Sequence, residues 1–215
     1  MIDDPRGVAE RWPDSRLRAL ATVATIVTET PWALRPAHAA GLSDDELLHA
    51  IALSAYFGHL NRIADATAVP LDYRVRREPA HAEPATPALS PAPAPLARSS
   101  RRSLDARPAT AAALTAWSDH VLERDAPLPR GVRSAIATHV RALLGAGRPG
   151  HASFAERPVL ELASTLTLAP WRLGASAFAP LRPALDDAML FDVCVVASTV
   201  GVEARIEVAL AALDA

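Results

Sequence analysis

With 215 residues, half of them apolar, and a mass of 22.7 kDa, the chain has room for one domain or two small ones and for a real core, which excludes global disorder. A net charge of −2 with a pI near 6.4 argues against a nucleic-acid-binding surface as its main business. Aromatic residues make up only 5%, while 47 of the 215 residues are Ala, a balance that favours helices over sheets.

The first predicted helix covers 15–28, where Leu17, Leu20, Val23, Ala24 and Val27 share one face. Thr30-Pro31-Trp32 ends it, because a residue before proline is pushed out of the helical region. Gly41 breaks the chain, and Ser43 with Glu46 three residues on forms a capping box. Asp44, Asp45 and Glu46 complement the helix dipole there, so a long helix is predicted to about Ala68, stopped by Pro70. Between Arg74 and Pro108 seven prolines lie among Ala, Ser, Arg and Glu, which predicts an extended, partly mobile linker of polyproline character. Within it, Arg98-Ser99-Ser100-Arg101-Arg102 reads as a solvated charge cluster. Further helices are predicted over 110–123, 129–144, 155–168 and 186–213. Only 193–202 is β-branched enough to mimic a strand. The predicted organisation is a helical repeat over 1–70, a Pro-rich linker over 71–108 and a second helical repeat over 109–215.

The two outer parts resemble each other. Ala24, Thr28, Pro31, Trp32 and Leu34 match Ala163, Thr167, Pro170, Trp171 and Leu173 at an offset of 139. Leu42, Asp44, Leu47, Gly58, Arg62 and Ile63 match Leu185, Asp187, Leu190, Gly201, Arg205 and Ile206 at an offset of 143. A helical hairpin this small cannot bury its apolar face alone, whereas two copies can bury theirs against each other. The expected fold is therefore all-α, two pseudo-repeated helical units packed into one compact body, with Trp32 and Trp171 plugging the corners or walling a pocket.

Several absences narrow the chemistry. All 22 basic residues are Arg, which excludes a Schiff-base lysine and a P-loop Gly-Lys pair. Cys194 is alone, so no intrachain disulfide, CxxC pair or cysteine zinc site can form. No apolar run approaches the ~20 residues of a membrane span, and the first residues lack the pattern of a secretory signal. A cytoplasmic protein without membrane or nucleic-acid partners is expected.

Gly41-Leu42-Ser43-Asp44-Asp45-Glu46-Leu47-Leu48-His49-Ala50-Ile51, followed by Tyr56-Phe57-Gly58-His59-Leu60-Asn61-Arg62-Ile63-Ala64-Asp65, resembles the carboxymuconolactone decarboxylase and alkylhydroperoxidase D-like superfamily, in its peroxidase-related branch. The stretch from Trp117 through Leu128-Pro129 to the last helix resembles it too, so that about two thirds of the chain is covered. The resemblance implies an all-helical fold and a homo-oligomer. Redox-active members use a Glu, a CxxC pair and a His. Here Ser134 falls at the Glu position, Ala146-Gly147-Arg148-Pro149 at the CxxC and Ser153 near the His, with His151 two residues early. A thiolate is the reacting form, so thiol redox chemistry is not expected. No cofactor is implied.

Other constellations are sparse. Glu46-x2-His49 has the spacing of a di-metal helix but lacks a second such pair, so Glu46 reads as a cap and no metal is expected. His120, Asp119 and His139 come with no nucleophile-elbow serine. Tyr56, His59 and Arg62 lie three apart on the long helix, with Arg205 as the repeat-equivalent of Arg62. They form either a polar interface or a pocket that binds a small anionic metabolite, with His59 as acid or base and Arg62 as carboxylate clamp. Two functions follow: a ligand-binding or structural protein, or a non-thiol enzyme acting through Tyr56, His59 and Arg62.

Overall fold

The computed structural model describes residues 12–68, 88–95, 104–150, 153 and 156–215, and among these residues it is all-helical. The helices are α1 (Ser15–Glu29), α2 (Asp44–Thr67), α3 (Pro108–Leu122), α4 (Arg130–Leu143), α5 (Arg157–Leu168), the single turn α6 (Ala175–Phe178) and α7 (Asp187–Leu213). None is long and apolar enough to cross a membrane.

The capping signals act as read. The Ser43 backbone N–H donates to Glu46 at 2.8 Å and the Glu46 N–H donates to Ser43 Oγ at 3.3 Å, closing the capping box of α2. The helix ends at Ala68, whose left-handed φ of 49° returns its N–H to the Ala64 and Asp65 carbonyls. Asp14 caps α1 and Asp186 caps α7 in the same manner, each accepting backbone N–H bonds.

Helix α7 is the axis of the molecule, with 19 of its 27 residues buried. A helix that is apolar all round has to be surrounded, and this explains the strand-like stretch 193–202: its β-branched residues face packed neighbours on every side. The upstream half of α7, with Val193, Val196 and Val200, joins Ile136 and Val140 of α4 and Leu166 of α5 in one core cluster. The downstream half, with Ile206 and Leu210, joins Val23 and Val27 of α1 and Ile51 of α2 in a second. Trp117 of α3 packs against both.

Residues 88–95 of the Pro-rich stretch form no regular element and dock on the helices. The Leu89 N–H donates to the Leu168 carbonyl and the Ala92 N–H to the Leu143 carbonyl, both at 2.8 Å. The segment thus supplies donors to the open C-terminal ends of α5 and α4. Gly145, at φ +80°, lets Ala92 come so close that a Cβ there would sit 2.9 Å from the Ala92 Cβ. Pro108 opens α3 instead of closing the linker, as a first-turn proline can. The cluster Arg98–Arg102, together with Pro70, His151 and the first eleven residues, lies outside the described residues.

Candidate functional site

Two features meet on α2. The first is a buried crossing of arginines. Arg62 on α2 and Arg205 on α7 are 5% and 2% exposed. Each folds back onto its own helix, Arg62 Nη1 donating to the Gly58 carbonyl at 2.7 Å and Arg205 Nη1 to the Gly201 carbonyl at 3.1 Å. Each then reaches the end of a helix from the other half of the chain. Arg205 Nε donates to the Thr28 carbonyl at 3.2 Å, and Arg62 Nη2 to the Thr167 carbonyl at 3.4 Å; Arg205 Nη2 reaches Thr167 as well, at 3.2 Å.

The sequence accounts for this. Thr28 and Thr167 lie in the last turns of α1 and α5, where carbonyls lack helical partners. Three residues on stand Pro31 and Pro170, which have no N–H to give. The guanidinium replaces the missing donor, and the partial negative charge of the helix end favours a cation there. The glycines make room: a Cβ on Gly58 would sit 2.8 Å from Arg62 Nη1, and one on Gly201 2.9 Å from Arg205 Nη1. The Pro-Trp corner and the Gly-x3-Arg run are two parts of one contact. Burial pulls Arg62 down to about 10, with Asp65 opposing it. Arg205 is lowered well below the usual value, by burial first and by Arg62 second.

The second feature is a cavity of about 740 Å³ between α2, α3 and α7. Leu53, Tyr56 and His59 form its α2 wall, Arg107, Leu114 and Trp117 its α3 wall, and Val202 and Ile206 its floor. Its aromatic end is ordered. The His59 ring meets Trp117 edge to face with centroids 4.8 Å apart and stacks on Tyr56 at 6.3 Å. Nδ1 of His59 is buried with no hydrogen-bond partner. Burial lowers the His59 pKa, Arg62 lowers it further, and a hydrogen bond to the Ser198 backbone acts against both. At the far end His49 lies near Arg107, which pairs with Asp45 at 2.5 Å.

The structure therefore separates the residues that the sequence grouped. Tyr56 and His59 share the cavity, whereas Arg62 and Arg205 lie in the helix crossing and are not among its lining residues. Trp32 and Trp171 are half-buried at their corners, away from the cavity, and Trp32 packs on the core cluster of α4, α5 and α7. The cation in the wall is Arg107, which the sequence reading did not single out, and the aromatic platform is Trp117, named there only where the C-terminal stretch of the resemblance begins. The Leu114, Trp117, Val121 spacing marks an apolar stripe, and nothing local says that Trp117 borders a void.

The remaining candidates are structural. Glu46 is held by Ser43 and by an ion pair with Arg16, and among the described residues no group of His, Cys, Asp and Glu could hold a metal. Cys194 is buried in α7, and burial pushes its thiol up to about 12. Ala146-Gly147-Arg148-Pro149 forms the turn after α4, and Ser153 accepts from and donates to Glu156. Ser164 Oγ lies 2.6 Å from His139 Nε2 and donates to the Leu160 carbonyl at 2.9 Å. Its single proton is thereby used, so His139 is the donor and the pair ties α4 to α5. Comparison of the chain with protein-family models, curated proteins and solved structures finds no match.

Proposed function

We propose that the chain is a ligand-binding protein built from two pseudo-repeated helical units, a divergent relative of the carboxymuconolactone decarboxylase and alkylhydroperoxidase D-like superfamily that works as a homo-oligomer without thiol redox chemistry. The observation that carries the binding role is the cavity walled by Tyr56, His59 and Trp117, with an unpartnered buried nitrogen on His59. A pocket of several hundred Å3 with apolar walls and a few placed polar groups is the usual form of a small-molecule site. The aromatic end suits a flat ring, His59 Nδ1 accepts from a hydroxyl or amine on it, and Arg107 offers charge for an anionic tail.

The repeat reading is supported by the two corners. Thr30 and Ala169 have φ, ψ of −143°, 62° and −151°, 54°, and the Thr28 and Thr167 hydroxyls donate to Ala24 and Ala163 at 2.8 and 2.7 Å. The loss of thiol chemistry is supported by the inert setting of Cys194. A second reading, a non-thiol enzyme, has support in His59, whose lowered pKa favours the unprotonated imidazole that a general base needs. It would draw on Arg107 rather than Arg62 for the anion.

Native mass spectrometry of the protein purified from its own host tests the binding role. A stoichiometric small molecule is expected on the wild type and absent from His59→Ala and Trp117→Ala. Wild-type protein without added mass, and with no gain on soaking in a metabolite extract, overturns it.

A further inference from the structure

The outward face of α2 is a second, unused surface. Leu53, Tyr56, Phe57 and Leu60 are 46%, 45%, 53% and 41% exposed, and they follow i, i+3, i+4, i+7 spacing down one side of the helix. Between Glu46 and Asp65 the helix carries a single charged residue, Arg62, and that one is buried. An interface core is depleted of charge and enriched in aromatics in this way.

The stripe is also a palindrome. A two-fold axis passing between residues 56 and 57 exchanges Leu53 with Leu60 and Tyr56 with Phe57. A closed dimer uses the same patch on both copies, and a stripe with this spacing is complementary to itself when two copies run antiparallel. The face supplies the matching hollows too. On one side of the ridge lies the His59 cavity, which Leu53 and Tyr56 wall. On the other, a hollow of about 720 Å³ against α1 is lined by Leu20, Ala24, Leu53 and Phe57. Ridges beside grooves on one surface are the requirement for helix-on-helix packing.

The stripe supplies about half of the area. With roughly 150–200 Å² for a large apolar side chain, these four residues leave about 300 Å² in water per copy. Two copies would bury about 600 Å² from these side chains, and the hollow walls bring the total toward the roughly 1,200–2,000 Å² of a stable interface.

We infer that α2 packs antiparallel on α2 of a second copy of this chain through Leu53, Tyr56, Phe57 and Leu60, and that the second copy closes the open side of the His59 cavity. The inference rests on the homo-oligomer reading above and gives it a face and a register. Leu53 meets Leu60 of the partner subunit, and Tyr56 meets Phe57 of the partner subunit.

Native mass spectrometry and light scattering on the full chain at tens of micromolar test it, with far-UV circular dichroism as the check on folding. The wild type is expected to be a dimer or a multiple of one. Leu53→Arg and Leu60→Glu are each expected to halve the mass with helicity unchanged, since both side chains are exposed within one copy. The double variant L53R/L60E places each new cation opposite a new anion, and its dimer is expected to return. A monomeric wild type overturns the oligomer reading and this inference together. An oligomeric wild type whose mass neither single substitution alters overturns the face alone. Single variants that dissociate without rescue in the double variant overturn the antiparallel register.

Discussion

Arg133 on α4 and the Arg62–Arg205 crossing are equally cut off from water, yet their charges are met differently. Arg133 sits in a shell of carbonyls, from Leu128 at 2.9 Å, Val121 at 2.6 Å and Ala126 at 3.2 Å, and it is ion-paired to Asp192, itself buried. Asp192 accepts the Leu128 N–H at 3.2 Å as well. That cation is neutralised by a full opposite charge. Arg62 and Arg205 bond to carbonyls at two helix ends and repel each other; partial charges hold them, and Asp65 offsets Arg62 in part without a direct ion pair among the described contacts. The first site is a local lock between α4 and α7. The second ties the end of α1 to α7 and the end of α5 to both long helices, and its geometry depends on glycines and prolines placed far apart in the chain.

The contrast has a measurable order. Asp192→Ala leaves the Arg133 charge buried and unpaired, and the expected loss is about 3–5 kcal/mol in urea unfolding. Arg205→Met removes its carbonyl bonds but also relieves the repulsion with Arg62, so a smaller loss of about 1–3 kcal/mol is expected. If Arg205→Met proved the more damaging, helix-end carbonyls would be holding charge better than a carboxylate does, and the comparison would fail. Gly201→Ala comes next. The new methyl would meet Arg205 Nη1 at 2.9 Å, while alanine favours the helix by up to about 1 kcal/mol. A net loss of about 1 kcal/mol is expected, and it should vanish in the Arg205→Met background, where the guanidinium is gone. Persistence of the loss there would mean that the notch serves some other neighbour.

The sequence made the elements legible because their signals are local. Ser43 with Glu46 and the Thr-x-x-Pro corners each act within four residues, and each caps or ends a helix in the structure; the caps Asp14 and Asp186 are as local, though the sequence reading did not name them. The pattern of Gly58 and Arg62 repeated as Gly201 and Arg205 was visible as well, although its purpose was not. That purpose requires Arg205 to meet Thr28, 177 residues away. The grouping of Tyr56, His59 and Arg62 fails for a geometric reason. Residues three apart advance by about 300°, so the third side chain has drifted some 120° from the first. Tyr56 stays on the cavity side and Arg62 turns into the crossing. The Arg107 and Trp117 wall was illegible because α3 reaches α2 across a long Pro-rich connection that carries no periodic signal.

His59 provides the finest test of the difference between the two arginine sites. It lies one turn before Arg62, and its pKa is lowered by burial first and by the Arg62 charge second. His139 is lowered by burial alone. The crossing therefore projects part of its charge, the part that Asp65 does not offset, onto a neighbouring titrating group. Arg62→Met is expected to raise the His59 pKa toward its ordinary 6.5 by part of the shift, while the His139 pKa stays where it is; proton-detected histidine titrations read both. The sign in stability follows. A histidine with a folded pKa below its unfolded value binds its proton more readily when unfolded. Its contribution is complete above about pH 6.5 and is lost as the pH falls from there through the folded pKa. Urea midpoints should accordingly decline as the pH falls below 6.5 in the wild type, and decline less steeply in Arg62→Met. An unchanged His59 titration in that variant would place the whole shift in burial, and the crossing would then be as well neutralised as Arg133 is by Asp192.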